Sequence, residues 1–219
     1  MLKKYKHISF DLDGTLVHTT PEYRYALVSK IVEALGGTLS DPRLVDRFWF
    51  ESGREAFIRN TFKLDPDVFW SLFHIEDAPE LRSVHTKAYH DAERAVRKLK
   101  DMGKVVSVIT GSPQGTAEME LEKLNGAPHD YLLSTSSAGH SPKPDPAALQ
   151  FVLAELDARP EETVYVGNGN EDALFARNAG VDFIYLERKE YEFDLRDYSL
   201  AVVQSLNELF ESKQVRPLL

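Results

Sequence analysis

Two carboxylates one residue apart, Asp11 and Asp13, stand where the short apolar run from His7 to Phe10 gives way to Asp11-Leu12-Asp13-Gly14-Thr15. A β-prone run that stops at a charged, glycine-containing segment reads as a buried strand feeding a loop. Both carboxylates can then point into the space above a sheet. Burying two like charges is costly unless a cation neutralises them, so the pair predicts a hard, oxygen-seeking ion such as magnesium. With the ion in place, one carboxylate can attack a phosphorus centre while the other moves a proton. Gly14 and Thr15 add backbone donors and room for close approach.

Such a loop needs a sheet to hold it. Three later runs have the same character as the first: Val105 to Ile109 before Thr110-Gly111, Tyr131 to Leu133 before a Ser/Thr-rich loop, and Val164 to Val166 before Gly167-Asn168-Gly169. Helical patterns follow them, around Leu121 and Leu124, over Ala147 to Leu156, and over Ala173 to Ala179 with Gly180 as a stop. Phe183 to Leu186 reads as a further strand. Short apolar strands alternating with helices predict an α/β fold, a Rossmann-like parallel sheet with helices on both faces. Ligands in such sheets bind beyond the carboxyl ends of the strands.

Between Pro21 and Thr86 the alternation stops. Tyr23, Ala26, Leu27, Ile31, Ala34 and Leu35 recur at helical spacing and Gly36-Gly37 closes that helix. Leu44, Val45, Phe48 and Trp49 suggest a second helix, Ala56, Phe57 and Phe62 a third, and Val68, Phe69, Leu72 and Phe73 a fourth. The expected organisation is therefore a sheet domain of residues 1–16 and 87–219 with a small all-helical domain, 17–86, inserted in it. Its aromatics, Phe48, Trp49, Phe50, Phe69, Trp70 and Phe73, are expected to form the insertion's own core. Ala92, Ala95, Val96, Leu99 and Met102 return the chain to the sheet through an amphipathic helix.

Four segments at successive strand ends together resemble the haloacid dehalogenase superfamily. Phe10-Asp11-Leu12-Asp13-Gly14-Thr15-Leu16 matches its first motif, Val108-Ile109-Thr110-Gly111 its second, and Ser141-Pro142-Lys143-Pro144-Asp145-Pro146 its third. The fourth, commonly Gly-Asp-x-x-x-Asp, is here Gly167-Asn168-Gly169-Asn170-Glu171-Asp172, so its first acidic position is amidated and its second, Asp172, stands. The resemblance implies that Asp11 forms an aspartyl-phosphate and that Asp13 protonates the leaving oxygen and then activates water. It further implies that Thr110 holds a phosphoryl oxygen and that Lys143 neutralises charge on the phosphate and Asp11. Gly14, Thr15, Gly111 and Ser112 are expected on the substrate. Magnesium is expected on Asp11, Asp13, Asn168 and Asp172. A carboxylate at Asp13 argues against the dehalogenase branch. The helical insertion resembles the mobile cap of phosphoglycolate-phosphatase and β-phosphoglucomutase relatives. His18, where the chain enters the insertion, and Arg54 within it are further substrate candidates. The implied activity is magnesium-dependent hydrolysis of a small phosphate monoester; a phosphoglucomutase-like phosphotransferase and a non-catalytic metabolite-binding module are the alternatives.

Composition sets the remaining bounds. The 219 residues are 42% apolar and 28% charged, ordinary globular proportions able to bury a sizeable core. A formal net charge of −9 argues against nucleic acid or an anionic membrane surface as partner and leaves a small molecule, which the resemblance makes a small phosphorylated metabolite. No segment reads as a signal peptide or membrane span. With no cysteine there are no disulfides, thiolate metal sites or catalytic thiols. The expectation is a cytoplasmic monomer or homodimer. The seven histidines show no paired helical spacing of a zinc site.

Overall fold

The structure, a computed structural model, describes residues 2–39, 41–137 and 139–211. They divide into two compact units, one of residues up to His18 and from Ala88 onward, the other of Thr19–Lys87.

The strands are β1 (His7–Phe10), β2 (Val17–Thr19), β3 (Thr86–Ala88), β4 (Val105–Thr110), β5 (Tyr131–Ser134), β6 (Thr163–Gly167), β7 (Asp182–Leu186) and β8 (Ala201–Val203). The α-helices are α1 (Pro21–Ala34), α2 (Arg43–Phe50), α3 (Arg54–Phe57), α4 (Pro66–Glu76), α5 (Pro79–Ser83), α6 (Ala92–Asp101), α7 (Gln114–Glu122), α8 (Ala147–Glu155) and α9 (Asn170–Asn178). Six strands form one sheet in the order β5-β4-β1-β6-β7-β8, with every pairing parallel. This is the Rossmann-like arrangement expected from the alternating pattern. The chain builds outward from β1 on one side and then on the other, so the strand order reverses beside β1. That is the place where parallel sheets open a crevice at their carboxyl ends.

Period-two alternation sorts the strand side chains to two faces. Ile8, Phe10, Val106, Val108, Val164, Val166, Ile184 and Leu186 join one buried cluster with Ala92, Ala95, Val96 and Leu99 of α6. Ile109, Leu133, Tyr165, Phe183 and Tyr185 join another with α8 and α9. Helices thus cover both faces. Where the chain passes between the units, β2 and β3 pair as a separate two-stranded ladder.

The Thr19–Lys87 unit packs on its own core of Leu27, Val28, Ile31, Val32, Val45, Phe48, Ile58, Phe62, Phe69 and Phe73. Phe48 is its hub, 5.3 Å from Phe69 and 5.8 Å from Phe62 between ring centroids. Trp49 and Trp70 pack against this cluster, while Phe50 lies 4.8 Å from the Arg24 guanidinium. The expected third helix is composite. After α3 the chain widens into a π-helical turn, Ile58–Phe62. Phe57 and Phe62 are five residues apart, the π period, and meet edge to face at 5.3 Å.

At the amino-terminal edge of β1, His7 is 1% exposed and sits between Ser107 Oγ at 2.8 Å and Thr163 Oγ1 at 3.3 Å. Burial lowers its pKa to about 4, against a weaker pull upward from Asp130. The folded value lies below the ordinary 6.5, so folding favours the neutral ring. Its stability contribution is complete above pH 6.5 and is lost as pH falls towards 4, about 3 kcal/mol in all. A His7→Gln variant should therefore lose less stability than wild type across that window. The measurement is the difference between the two denaturation profiles, which cancels the other titrating groups.

Candidate active site

Because the sheet is parallel, the ends of β1, β4 and β6 bring their loops to one edge. Asp11 continues directly from β1, its N–H donating to the Val166 carbonyl at 3.0 Å. The chain then turns tightly: the N–H groups of Thr15, Leu16 and Val17 all donate to the Leu12 carbonyl, and that of Gly14 donates to the Val17 carbonyl. Gly14 takes φ +84°, the left-handed region that favours glycine, and a Cβ there would meet Asn168 Nδ2 at 2.1 Å. The turn and the Asn168 side chain therefore share space only because residue 14 has no side chain.

Asp11 is 8% exposed and is held by two side chains and by the Leu12 backbone. Lys143 Nζ donates to its Oδ1 at 2.6 Å and the Thr15 hydroxyl to its Oδ2 at 3.1 Å. Lys143, itself buried, also donates to Asp172 Oδ1 at 2.8 Å. Its ammonium lies 5.4 Å from the centroid of Tyr165 and 5.8 Å from that of Phe175. Those two rings, from β6 and α9, wall the lysine off from water. Burial pushes the Asp11 carboxyl up, Lys143 pulls it down and Asp172 raises it again, with a net upward shift. Lys143 moves the other way: burial favours its neutral form, but Asp11 and Asp172 hold it well above its ordinary value. The ammonium is thus the fixed positive charge between two carboxylates.

Asp172 lies in the first turn of α9, because the helix begins at Asn170, three residues before the apolar pattern does. Its Oδ2 accepts from the N–H groups of Asn168 at 3.2 Å and Gly169 at 3.1 Å. A Cβ on Gly167 would meet this same carboxylate at 2.6 Å. Both oxygens of Asp172 are engaged, one on Lys143 and one on the loop. The residue shapes the loop and anchors the lysine in this arrangement, where the sequence reading gave it to a metal.

Thr110 ends β4, buried, and its Oγ1 accepts from the Ser112 N–H at 3.1 Å. Ser112 is half-buried and its carbonyl accepts from Ser134 Oγ at 2.6 Å; Gly111 is exposed at the rim. Asp13, within the turn that follows Asp11, is half-buried. His18 stacks on Tyr89 at 4.8 Å, with Nδ1 3.5 Å from Glu190 Oε1. Arg54 donates to the backbone carbonyls of Phe48 at 3.2 Å and Trp49 at 3.0 Å, so its guanidinium satisfies the carboxyl end of α2. That internal duty accounts for a residue the sequence reading offered to substrate.

The donors around Asp11 suit a hard cation. They are all oxygen: the Asp11 carboxylate, Asp13, and the Asn168 amide, whose Oδ1 lies 3.5 Å from the Thr15 hydroxyl that also reaches Asp11. Asp11 and Asp172 together outweigh Lys143 by one negative charge in a buried space, a deficit that a divalent ion would relieve. No cluster of three or more carboxylate, imidazole or thiol groups is poised around a single point among the described residues. Any ion here therefore depends on amide and backbone oxygens as well as on carboxylates.

Sequence reasoning missed Arg188 and Asp91. The Arg188 guanidinium donates to the Thr15 carbonyl at 2.8 and 3.3 Å and forms a two-pronged ion pair with Asp91 at 2.9 and 3.0 Å. A basic pair, Arg188-Lys189, separated from the end of β7 only by Glu187, was the available signal.

The sequence model of haloacid dehalogenase-like hydrolases matches residues 5–180, and the chain belongs to that family. It is an enzyme of the family's phosphatase class. A phosphoglycolate phosphatase of Cereibacter sphaeroides is 31% identical over 196 residues, 80% of this chain and 82% of that protein. The pyrophosphatase PpaX of Bacillus mycoides is 27% identical over 223 residues, 93% of this chain and 99% of that one. Among solved structures, a HAD family hydrolase of Deinococcus radiodurans with bound phosphate and sodium superposes with a TM-score of 0.69 at 19% identity, covering 94% of this chain and 93% of the other. That last likeness is one of fold.

Proposed function

We infer that the enzyme hydrolyses a small phosphate monoester by attack of Asp11 on phosphorus, with magnesium as cofactor. The observation that carries this reading is the Asp11-Lys143-Asp172 chain: a buried carboxylate held at 2.6 Å by an ammonium that a second carboxylate fixes from behind. Phosphoryl transfer asks mainly for alignment and charge compensation, and this arrangement offers both.

In the first half-reaction a carboxylate oxygen of Asp11 forms a bond to phosphorus as the ester P–O bond breaks. The leaving oxygen takes a proton from Asp13, and an aspartyl-phosphate remains. In the second, Asp13 accepts a proton from water as that water bonds to phosphorus; the bond between the Asp11 oxygen and phosphorus breaks and inorganic phosphate leaves, with Asp11 again a carboxylate and Asp13 again the acid. The Thr110 hydroxyl and Lys143 hold phosphoryl oxygens, while the Gly14 and Ser112 N–H groups, which donate to the Val17 carbonyl and to Thr110 Oγ1, hold the two turns in shape. Magnesium, when bound, supplies positive charge to the phosphoryl group. Asp11, the backbone carbonyl of Asp13 and Asn168 would hold it, with Asp172 supporting the loop. The names of the relatives favour a small anionic metabolite, while the net charge of −9 argues only against polyanionic partners; the enzyme is proposed to be a cytoplasmic monomer or homodimer.

The test is release of inorganic phosphate from a panel of monoesters, including phosphoglycolate and sugar phosphates, with magnesium, after chelation and after its return. Release that stops on chelation and resumes with magnesium is expected. A folded sample that releases phosphate from none of them overturns the reading, and so does transfer to a second sugar without release.

Asn168 makes this site weaker for the ion than a carboxylate would, because an amide oxygen carries no charge. Asn168→Asp should lower the magnesium concentration for half-maximal activity by about tenfold, since affinity follows ligand charge. A magnesium titration of initial rates checks it, and an unchanged or higher requirement contradicts it.

A further inference from the structure

We propose that Arg188 is a positioning residue, which sets the nucleophile by holding the Thr15 carbonyl while Asp91 fixes Arg188; this rests on the phosphatase reading above. The geometry forms one continuous chain. Asp91 is 1% exposed and takes four bonds: two from Arg188, one from Ser205 Oγ at 2.7 Å and one from the Leu206 N–H at 2.8 Å. Burial pushes its carboxyl up, but these donors outweigh that and hold it below its ordinary range. The ion pair is buried, its two side chains 5% and 0% exposed. Arg188 also lies 3.9 Å over the Tyr89 ring, which fixes the guanidinium plane.

The remaining face of the guanidinium goes to Thr15. Its Nη2 donates at once to Asp91 Oδ1 at 2.9 Å and to the Thr15 carbonyl at 2.8 Å. Thr15 in turn donates its hydroxyl to Asp11 Oδ2 at 3.1 Å. A planar fork that spans a carboxylate and a carbonyl cannot be reproduced by a lysine, whose ammonium is a single point. Backbone bonds already define the turn through Leu12, so Arg188 is not needed for its existence; it fixes the carbonyl that orients Thr15. A buried ion pair is weak grounds for stability, since apolar residues of like volume often do as well. Its placement behind the nucleophile gives it a different purpose.

The test compares Arg188→Lys, Arg188→Met and the double variant Arg188→Met with Asp91→Asn, using p-nitrophenyl phosphate with magnesium. Tyr5→Phe serves as control, since Tyr5 is buried and bonds Asp182 at 2.6 Å before β1, at the opposite edge of the sheet. Arg188→Lys should lower kcat about tenfold to a hundredfold with KM changed by less than about twofold, the scale of a small misplacement of a reacting group. The uncharged double variant, whose amide oxygen can still accept from the Leu206 N–H, should regain melting temperature relative to Arg188→Met and still keep the low kcat. Tyr5→Phe should lose stability without losing kcat. If kcat returns together with stability in the double variant, or if Arg188→Lys turns over like wild type, the positioning role is overturned and the phosphatase reading stands. If wild type releases no phosphate from any ester, both fall.

Discussion

Asp11→Asn is expected to lower kcat by at least about 10³-fold, because the substitution removes the atom that bonds to phosphorus and leaves the surrounding donors in place. The substitution is isosteric, and it takes away a carboxylate that burial has already pushed upward. The fold should therefore survive: Lys143 keeps Asp172 at 2.8 Å as its counter-charge and can still donate to the amide oxygen, while the Thr15 hydroxyl can turn to accept from the amide NH2. KM should change little, since the lost interaction belongs to the reaction rather than to binding. Initial rates, with the intact mass measured before and after to detect deamidation back to Asp, check this. Equal phosphate release by the variant would remove Asp11 from the mechanism.

Lys143→Met should be nearly as severe and should leave a pH signature. Removing one preorganised donor of positive charge costs roughly 10²- to 10³-fold in kcat. Lys143 also holds the Asp11 carboxyl down against burial. Without the ammonium, Asp11 stays protonated to higher pH, so the acid limb of the activity profile should move to higher pH. Stability should show the same sign. Asp11 and Asp172 would be left buried without their counter-ion, a loss of about 3–5 kcal/mol at pH 8 by the measure of broken buried pairs. Protonation relieves like-charge repulsion, so the variant should be more stable at pH 5.5 than at pH 8. A profile unmoved from wild type would mean that Lys143 does not govern the charge of Asp11.

Much of the sheet is legible in the sequence because five of its strands are short apolar runs, closed by Asp, Thr, Ser or Gly in all but β7, which gives way to Glu187. Strands β1, β4, β5, β6 and β7 all lie where such runs do. The runs fail for β2, β3 and β8, which are three residues each and too short to show a period. Similarly, α5 (Pro79–Ser83) buries only Arg82 and so presents no apolar stripe. The third helix of the insertion was placed, but not its π-helical turn, since a five-residue spacing of aromatics is not distinguished by a 3.6-residue template.

For the site, the strand-to-loop pattern marked Asp11, whereas Lys143 and Asp172 were legible only through the resemblance of their loops to the family's motifs. Their connectivity was less legible. Asp172 looks like a free loop carboxylate when helix starts are read from apolar residues, yet it is bonded to two backbone amides and a lysine. Arg54 is a cation within a helical segment, and nothing in its spacing says that it will bind the end of α2. Arg188 and Asp91 lie 97 residues apart and follow no motif, so only the fold brings them together.

The claim that Asp11 bonds covalently to phosphorus is tested most directly by acid-quenching the enzyme during turnover of a monoester and mapping phosphate by mass spectrometry. Borohydride reduction would convert a trapped aspartyl-phosphate to homoserine. One phosphoryl group on the peptide carrying Asp11, with homoserine at position 11 after reduction, is the predicted result. Continued release of phosphate with no label on any peptide, or with label on another residue, would contradict it.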